Sequence, residues 1–304
     1  MINGDLIKKR ILIIGSNGML GQRLTEFFQS AQNIELMCAS TESESLISGA
    51  NYKQLDIRQK NKVREIILDF FPDFIINTAA YTNVDKSETE REIAWKVNVN
   101  GVENIALYSW TIDAHLIHIS TDYIFDGKSG PYTEDAKPNP ICYYGRTKLA
   151  SENSIRTSGV RFTIIRSNVL YGAAKFGRPD FVKWVINSLR AGEKIRIVTD
   201  QMGNPTYIDD LVCAIRTIIE FKKEGVYNIG GTEMLSRFDF TQRIADYFQL
   251  EKVLIKPILT KELNQPALRP LKAGLITLKA ETELGYKPRK IEETFALMKK
   301  ELNL

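Results

Sequence analysis

Apolar runs of strand length alternate with helix-periodic stretches through the first half of the chain. RILIIG (10–15) is a short unbroken apolar run, and MLGQRLTEFFQSA (19–31) carries Leu20, Leu24, Phe27 and Phe28 at helical spacing. IELMCAS (34–40) predicts a second strand, KVREIILDFFP (62–72) an amphipathic helix stopped by Pro72, and DFIINTAA (73–80) another buried strand. EREIAWKVNVNGVENIALYSWTID (90–113) predicts one long helix, HLIHIST (115–121) a strand, and RFTIIRSNVLYG (161–172) a further one. Strands apolar on both faces and separated by helices predict an α/β fold, a doubly wound parallel sheet covered by helices on both sides.

After about residue 172 the rhythm changes. DFVKWVINSLRAG (180–192) predicts a helix, DQMGNPTYIDD (200–210) a turn-rich loop, GVYNIGG (225–231) a short strand and SRFDFTQRIADYFQL (236–250) a helix, with Pro257, Pro266, Pro270 and Pro288 punctuating the tail. The expected division is a nucleotide-binding domain over 1–172 and a smaller, mainly substrate-binding lobe over 173–304, interleaved with the first. A chain of 304 residues is long enough for that core. Its formal charge of +4 comes without a basic, aromatic-interleaved stripe, so nucleic acid is not an expected partner. Lys8-Lys9-Arg10 and Lys299-Lys300 read as solvated ends. Cys38, Cys142 and Cys213 match no disulfide or zinc spacing, His115 and His118 read as structural, and no metal is expected. No signal-peptide core or membrane-length apolar run is apparent, which predicts a cytoplasmic protein with no membrane partner.

Candidate chemistry begins at IIGSNGMLGQRL. Gly15, Gly18 and Gly21 lie between a strand and a helix. Gly15 suits the tight turn, Gly18 the close approach of backbone to a pyrophosphate, and Gly21 the packing of helix on sheet. The helix N-terminus then offers unpaired N–H groups to phosphate. Such a Rossmann-type site usually carries an acid after the second strand for the NAD ribose. MCAST puts Cys38 or Ser40 there instead, and Ser40 and Thr41 could donate to a 2′-phosphate. NADPH and NADH both remain, with a slight preference for NADP. Asp56, just past a short third strand, could bond the adenine amino group or cap the helix that follows. Ala79 and Ala80 leave room for a cofactor at the sheet edge. Thr121 ends its strand where ligands sit in parallel sheets. In YYGRTK, Tyr144 and Lys148 are i,i+4 on one helical face, and Tyr143 points about 100° away. Hydride addition to a carbonyl leaves an alkoxide that needs a proton. A phenol whose pKa a lysine ammonium lowers could supply it, with Thr121 bonding the same oxygen. Asn98 either anchors a proton-relaying water or marks a helix kink.

In this order these residues resemble the extended short-chain dehydrogenase/reductase superfamily. NTAAYTNVDKSE (77–88), STDYIFDG (120–127), PYTEDAKPNP (131–140), YGRTKLASE (144–152), DQMGNPTY (200–207) and Arg269-Pro270 are similar to the dTDP-4-dehydrorhamnose reductases over nearly the whole chain. The resemblance implies reduction of the 4-keto group of a nucleotide-linked deoxysugar, with Tyr144 as proton donor and Lys148 as its partner at the nicotinamide ribose. It implies a cofactor lined by Gly18, Met19, Leu20, Asp56, Ile57, Ala79, Ala80 and Tyr81, and a sugar touched by Thr121 and Asp122. Arg269 would meet the substrate diphosphate, or else form a surface ion pair. The family commonly has a tryptophan where this chain has Val169, so another nucleotide-sugar epimerase or reductase stays open. So does a non-catalytic, cofactor-binding regulatory subunit like that of methionine adenosyltransferase. Any self-association would be as a homodimer.

Overall fold

In β1 (Lys9–Ile14) Ile11 and Ile13 are buried on one face of a sheet, and Leu12 and Ile14 on the other. Side chains alternate across a strand, so a run apolar at every position is stable only where both faces are covered. The chain is described here by a computed structural model covering residues 8–303. From β1 it runs through α1 (Met19–Gln29), β2 (Ile34–Ser40), β3 (Tyr52–Gln54), α2 (Lys60–Phe70) and β4 (Phe74–Asn77). Two short helices, α3 (Lys86–Thr89) and α4 (Arg91–Trp95), precede α5 (Gly101–Thr111), β5 (His115–Thr121), α6 (Tyr143–Thr157) and β6 (Phe162–Ser167).

The long helix expected over 90–113 contains a π-helical turn at Lys96–Asn100 between α4 and α5. The strand expected over 73–80 stops at Asn77, where Ala79 N–H donates to Asn77 Oδ1 at 3.1 Å and turns the chain out of the sheet. The strand expected over 161–172 is broken at Asn168 and Val169. Asn168 Nδ2 donates to Asp122 Oδ2 (3.0 Å) while its Oδ1 accepts from Val169 N–H (2.7 Å), so a separate β7 (Leu170–Tyr171) resumes beyond them.

The remaining chain forms α7 (Phe181–Arg190), β8 (Ile195–Val198), β9 (Met202–Gly203), β10 (Thr206–Tyr207), α8 (Ile208–Phe221) and β11 (Gly225–Ile229), then α9 (Arg237–Phe248), α10 (Leu278–Leu284) and α11 (Ile291–Leu302). Two short strands thus lie inside the expected loop 200–210. β11 joins the main sheet, a seven-stranded parallel sheet in the order β11-β6-β5-β4-β1-β2-β3. The observed fold is therefore the doubly wound, Rossmann-type α/β sheet. One face packs against α1, α8 and α10, the other against α2, α5 and α6. A separate apolar core of α7, α9, α11 and β8 holds Val185, Ile197, Phe240, Ile244 and Phe295. The carboxyl ends of β1, β2, β4 and β5 open on one edge, the place for ligands in such sheets. Among the described residues no helix is long and apolar enough to cross a membrane.

Candidate active site

A cavity of about 870 Å³ runs along that edge. At one end it is floored by the turn after β1. Gly15 has φ +85°, and a Cβ there would lie 2.6 Å from the Ala79 nitrogen, so no side chain fits. At Gly21 a Cβ would lie 2.2 Å from the Gly15 carbonyl oxygen: this residue packs α1 against the turn and does not line the cavity. Gly18 is the N-cap of α1, whose first turn holds no acidic residue, so the positive end of the helix dipole stays uncompensated beside the cavity. Met19, Leu20, Ser40, Asp56, Ile57, Ala79 and Ala80 line the wall, as do Thr78 and Arg58. Asp56 is no helix cap. Gln59 precedes α2, and Asp56 instead bonds the Arg58 backbone and guanidinium, which hold its carboxyl below the ordinary range.

The first carboxylate after β2 is that of Glu42, two residues beyond Ser40, on the cavity rim beside Ser40 and Thr41. Burial pushes its carboxyl up, but hydrogen bonds from Ser40, its own backbone, Asn17 and Thr41 outweigh this and leave it below the ordinary value. Asn17 ties the Gly15–Gly18 turn to this loop through Glu42 (3.2 Å), Glu44 O (2.9 Å) and Leu46 N (3.0 Å). Tyr81 is not on the cavity wall. Its backbone is held by Asn98, whose Oδ1 accepts from Tyr81 N–H (2.7 Å) and whose Nδ2 donates to Tyr81 O (3.1 Å) and Thr147 Oγ1 (2.9 Å). Both Nδ2 protons of Asn98 are taken up by these protein partners, which makes the side chain a buried clamp at the π turn.

At the other end Thr121, Asp122, Tyr144 and Lys148 converge on the same cavity, which Val169 also lines. Thr121 ends β5, caps the turn Asp122–Ile124 and donates to Asp122 Oδ1 at 2.9 Å. Asp122 is buried and pushed up to about 7 by that burial, with hydrogen bonds and the Arg237 charge opposing. Tyr144 lies edge-on to Tyr123, ring centroids 5.7 Å apart. Tyr143 faces away, under the Arg91 guanidinium at 5.2 Å. Gly145 lets α6 approach: a Cβ there would lie 2.2 Å from Tyr123 O.

The electrostatics reverse one expectation. Burial raises the Tyr144 phenol above its ordinary value, the Asp122 carboxylate and Tyr123 adding to this and a Thr121 hydrogen bond opposing. The Lys148 amine is itself pulled down to about 8 by burial, with Glu152 opposing, and it bonds Ile119 O at 2.7 Å on β5. Both groups sit in a low-dielectric wall that disfavours charge, and among the described residues no hydrogen bond joins them. Arg269 does not line the cavity either. Its guanidinium is paired with Asp85 (2.8 Å) and donates to Ala267 O (2.9 Å). Besides Arg58, the wall carries Arg178 and Arg237; Arg237, the first residue of α9, is in no ion pair among the described residues and is stacked on Phe181 at 5.1 Å. A cation at a helix N-terminus opposes the dipole, and that local misfit in LSRFDF was its signal in the sequence. Among the described residues no group of three or more His, Cys, Asp and Glu side chains is placed to hold a metal.

A dinucleotide-binding sheet with a threonine, tyrosine and lysine at one end of its cavity defines a nicotinamide-dependent oxidoreductase of the Rossmann type. The chain belongs to the family of the RmlD substrate binding domain, whose model matches residues 9–304. It is 32% identical over 291 residues to the dTDP-4-dehydrorhamnose reductase of Aggregatibacter actinomycetemcomitans, covering 92% of this chain and 94% of that one. Its fold matches the dTDP-4-dehydrorhamnose reductase of Bacillus anthracis in complex with NADP, with a TM-score of 0.87 and 32% identity over 97% of this chain and 99% of that one. It is also 29% identical to the beta subunit of methionine adenosyltransferase 2 of Bos taurus, covering 91% of this chain and 83% of that one.

Proposed function

We propose that this oxidoreductase reduces the 4-keto group of a nucleotide-linked deoxysugar, converting dTDP-4-dehydrorhamnose to dTDP-L-rhamnose. The observation that carries the reading is a single cavity shared by the Gly15–Gly18 turn and the Thr121, Tyr144 and Lys148 side chains. Gly15, Gly18, Met19, Leu20, Asp56, Ile57, Ala79 and Ala80 hold the dinucleotide. When bound, the reduced nicotinamide supplies hydride to the carbonyl carbon. Tyr144 gives its proton to the carbonyl oxygen and Thr121 donates a hydrogen bond to the same atom. A raised phenol pKa suits this direction, because the acid must be fully protonated before transfer. Lys148 meets the ribose and steadies the phenolate left behind. Residues 173–304 supply most of the sugar-nucleotide contacts, with Arg237 and Val169 beside the sugar.

NADPH is the proposed coenzyme, received by Ser40 and Thr41 at the 2′-phosphate, and NADH is also accepted, because Glu42 at the same rim can take the hydrogen bond of a free ribose 2′-hydroxyl. Val169, in the place of a stacking aromatic, favours as a second reading another 4-keto sugar nucleotide for the same chemistry. Coenzyme oxidation against a panel of dTDP- and UDP-linked 4-keto sugars, with the product identified by NMR, decides. Tight coenzyme binding without oxidation by any of them would overturn the reading and leave a cofactor-binding regulatory role.

A further inference from the structure

We propose that His118 is a positioning residue for Lys148: its buried ring, locked with the proton on Nε2, denies the lysine ammonium a seat in the sheet and turns it toward the cavity. The inference rests on the proposed placement of Lys148 at the coenzyme ribose. The lock is a chain of hydrogen bonds with one consistent direction. Ala79 N–H donates to Asn77 Oδ1 at 3.1 Å, which fixes the amide and aims Asn77 Nδ2 at His118 Nδ1, also at 3.1 Å. Nδ1 is therefore an acceptor. Burial, and then the Lys148 charge, holds the ring well below its ordinary pKa, so it is neutral and carries its one proton on Nε2. That N–H faces Ser151 Oγ at 3.1 Å, which is free to accept because its own hydrogen goes to Lys148 O at 2.7 Å.

Lys148 Nζ lies 3.1 Å from the same Nε2. An ammonium has three donors and no acceptor, so on this side it meets another donor. Its one accepting partner in the strand is Ile119 O, which leaves its remaining N–H groups for the cavity that Lys148 lines, where ribose hydroxyls can accept them. The other charged or titratable groups packed around it give the wall little attraction. Glu152, one turn along α6, is taken up by Ser120 Oγ (2.6 Å) and the Arg166 guanidinium of β6 (2.8 Å), while Asp122 at the end of β5 is engaged by Thr121 and Asn168 and Tyr144 is a neutral phenol.

Two variants and one direct observation test this. His118→Gln brings in an amide oxygen that can turn toward the ammonium, without adding charge. Asn77→Asp accepts a proton from Nδ1 and so presents the lone pair of Nε2 to Lys148. Each gives the ammonium an acceptor in the wall. For folded protein, the alkaline limb of kcat/KM for reduction, near 8 in the wild type where the ammonium is lost, is expected to move up by about one pH unit. The Kd for NADPH and NADH is expected to rise about tenfold. In wild-type protein labelled with 15N-histidine, His118 Nδ1 is expected to be unprotonated and Nε2 protonated. A protonated Nδ1, or a limb and Kd unmoved in folded His118→Gln, would overturn the proposal. The Lys148 pKa measured by NMR without substrate reads the wall effect by itself. Its rise in both variants supports this inference even where no sugar nucleotide is turned over, an outcome that would count only against the proposed reaction.

Discussion

Tyr143 and Tyr144 are neighbours whose surroundings divide their work. Only Tyr144 faces the cavity, and its phenol stays loaded at neutral pH because burial and the Asp122 carboxylate hold its proton. Tyr144→Phe is expected to lower kcat by about 10²–10⁴-fold, the usual worth of a positioned acid, with coenzyme Kd changed less than threefold. Tyr143→Phe keeps the ring beneath Arg91 and is expected to change kcat by less than about threefold. Steady-state rates and coenzyme titration check both, and equal losses would remove Tyr144 from its role. A second residue-scale outcome concerns Glu42. Its carboxylate is ionised at the rim where a 2′-phosphate would lie, so Glu42→Ala is expected to raise the NADPH-over-NADH ratio of kcat/KM about tenfold. A ratio unchanged in this variant would mean that the rim does not read the 2′ position.

At the scale of elements, β5 and the π turn do the placing. β5 carries His118 in its interior and Thr121 at its end, and its register with β4 sets Asn77 opposite His118. The π turn sets Asn98 against Tyr81 and Thr147, joining the helix after β4 to α6. Asn98→Ala leaves partly buried backbone groups of Tyr81 without their protein partners. It is expected to destabilise the protein by about 1–3 kcal/mol in urea and to raise the coenzyme KM through the neighbouring Ala79–Ala80 segment. Loss of activity with unchanged stability and unchanged coenzyme KM would instead favour a proton-relay role. These elements also show what the sequence could and could not disclose. Glycines at 15, 18 and 21, Thr121 and the Tyr144–Lys148 spacing are local patterns whose physical demand is visible in a few residues. The pairing of Arg269 with Asp85 joins positions 184 apart and carries no periodic signal. The π turn adds one residue to a turn, and apolar spacing cannot distinguish that from an α-helix. Glu42 is visible in the sequence as the first carboxylate after β2, but it lies two residues beyond Ser40, so the motif gives it no role.

For the molecule as a whole, the connection between lobes decides how it folds. The core on the α1 face of the sheet is built largely from residues beyond 172, with Ile208, Leu211, Ile215, Ile218, Tyr227 and Leu284 all buried in it, and β11 closes the sheet beside β6. Burying each such side chain contributes roughly 1.5–3 kcal/mol, so removing these six alone forfeits about 9 kcal/mol or more. That is comparable with the 5–15 kcal/mol by which a typical protein is stable. The nucleotide-binding part is therefore not expected to separate at residue 172, although its glycine turn and the Thr121, Tyr144 and Lys148 set all lie before that point. A fragment of residues 8–172 is expected to show no cooperative thermal transition, to bind an apolar dye strongly, and to bind neither NADPH nor NADH. The full chain is expected to melt in one transition, which NADPH at 100 times its Kd stabilises by about 2.7 kcal/mol, a rise of several degrees by calorimetry. A fragment that melts cooperatively and binds coenzyme would show that the first 172 residues hold their sheet without α8, β11 and α10.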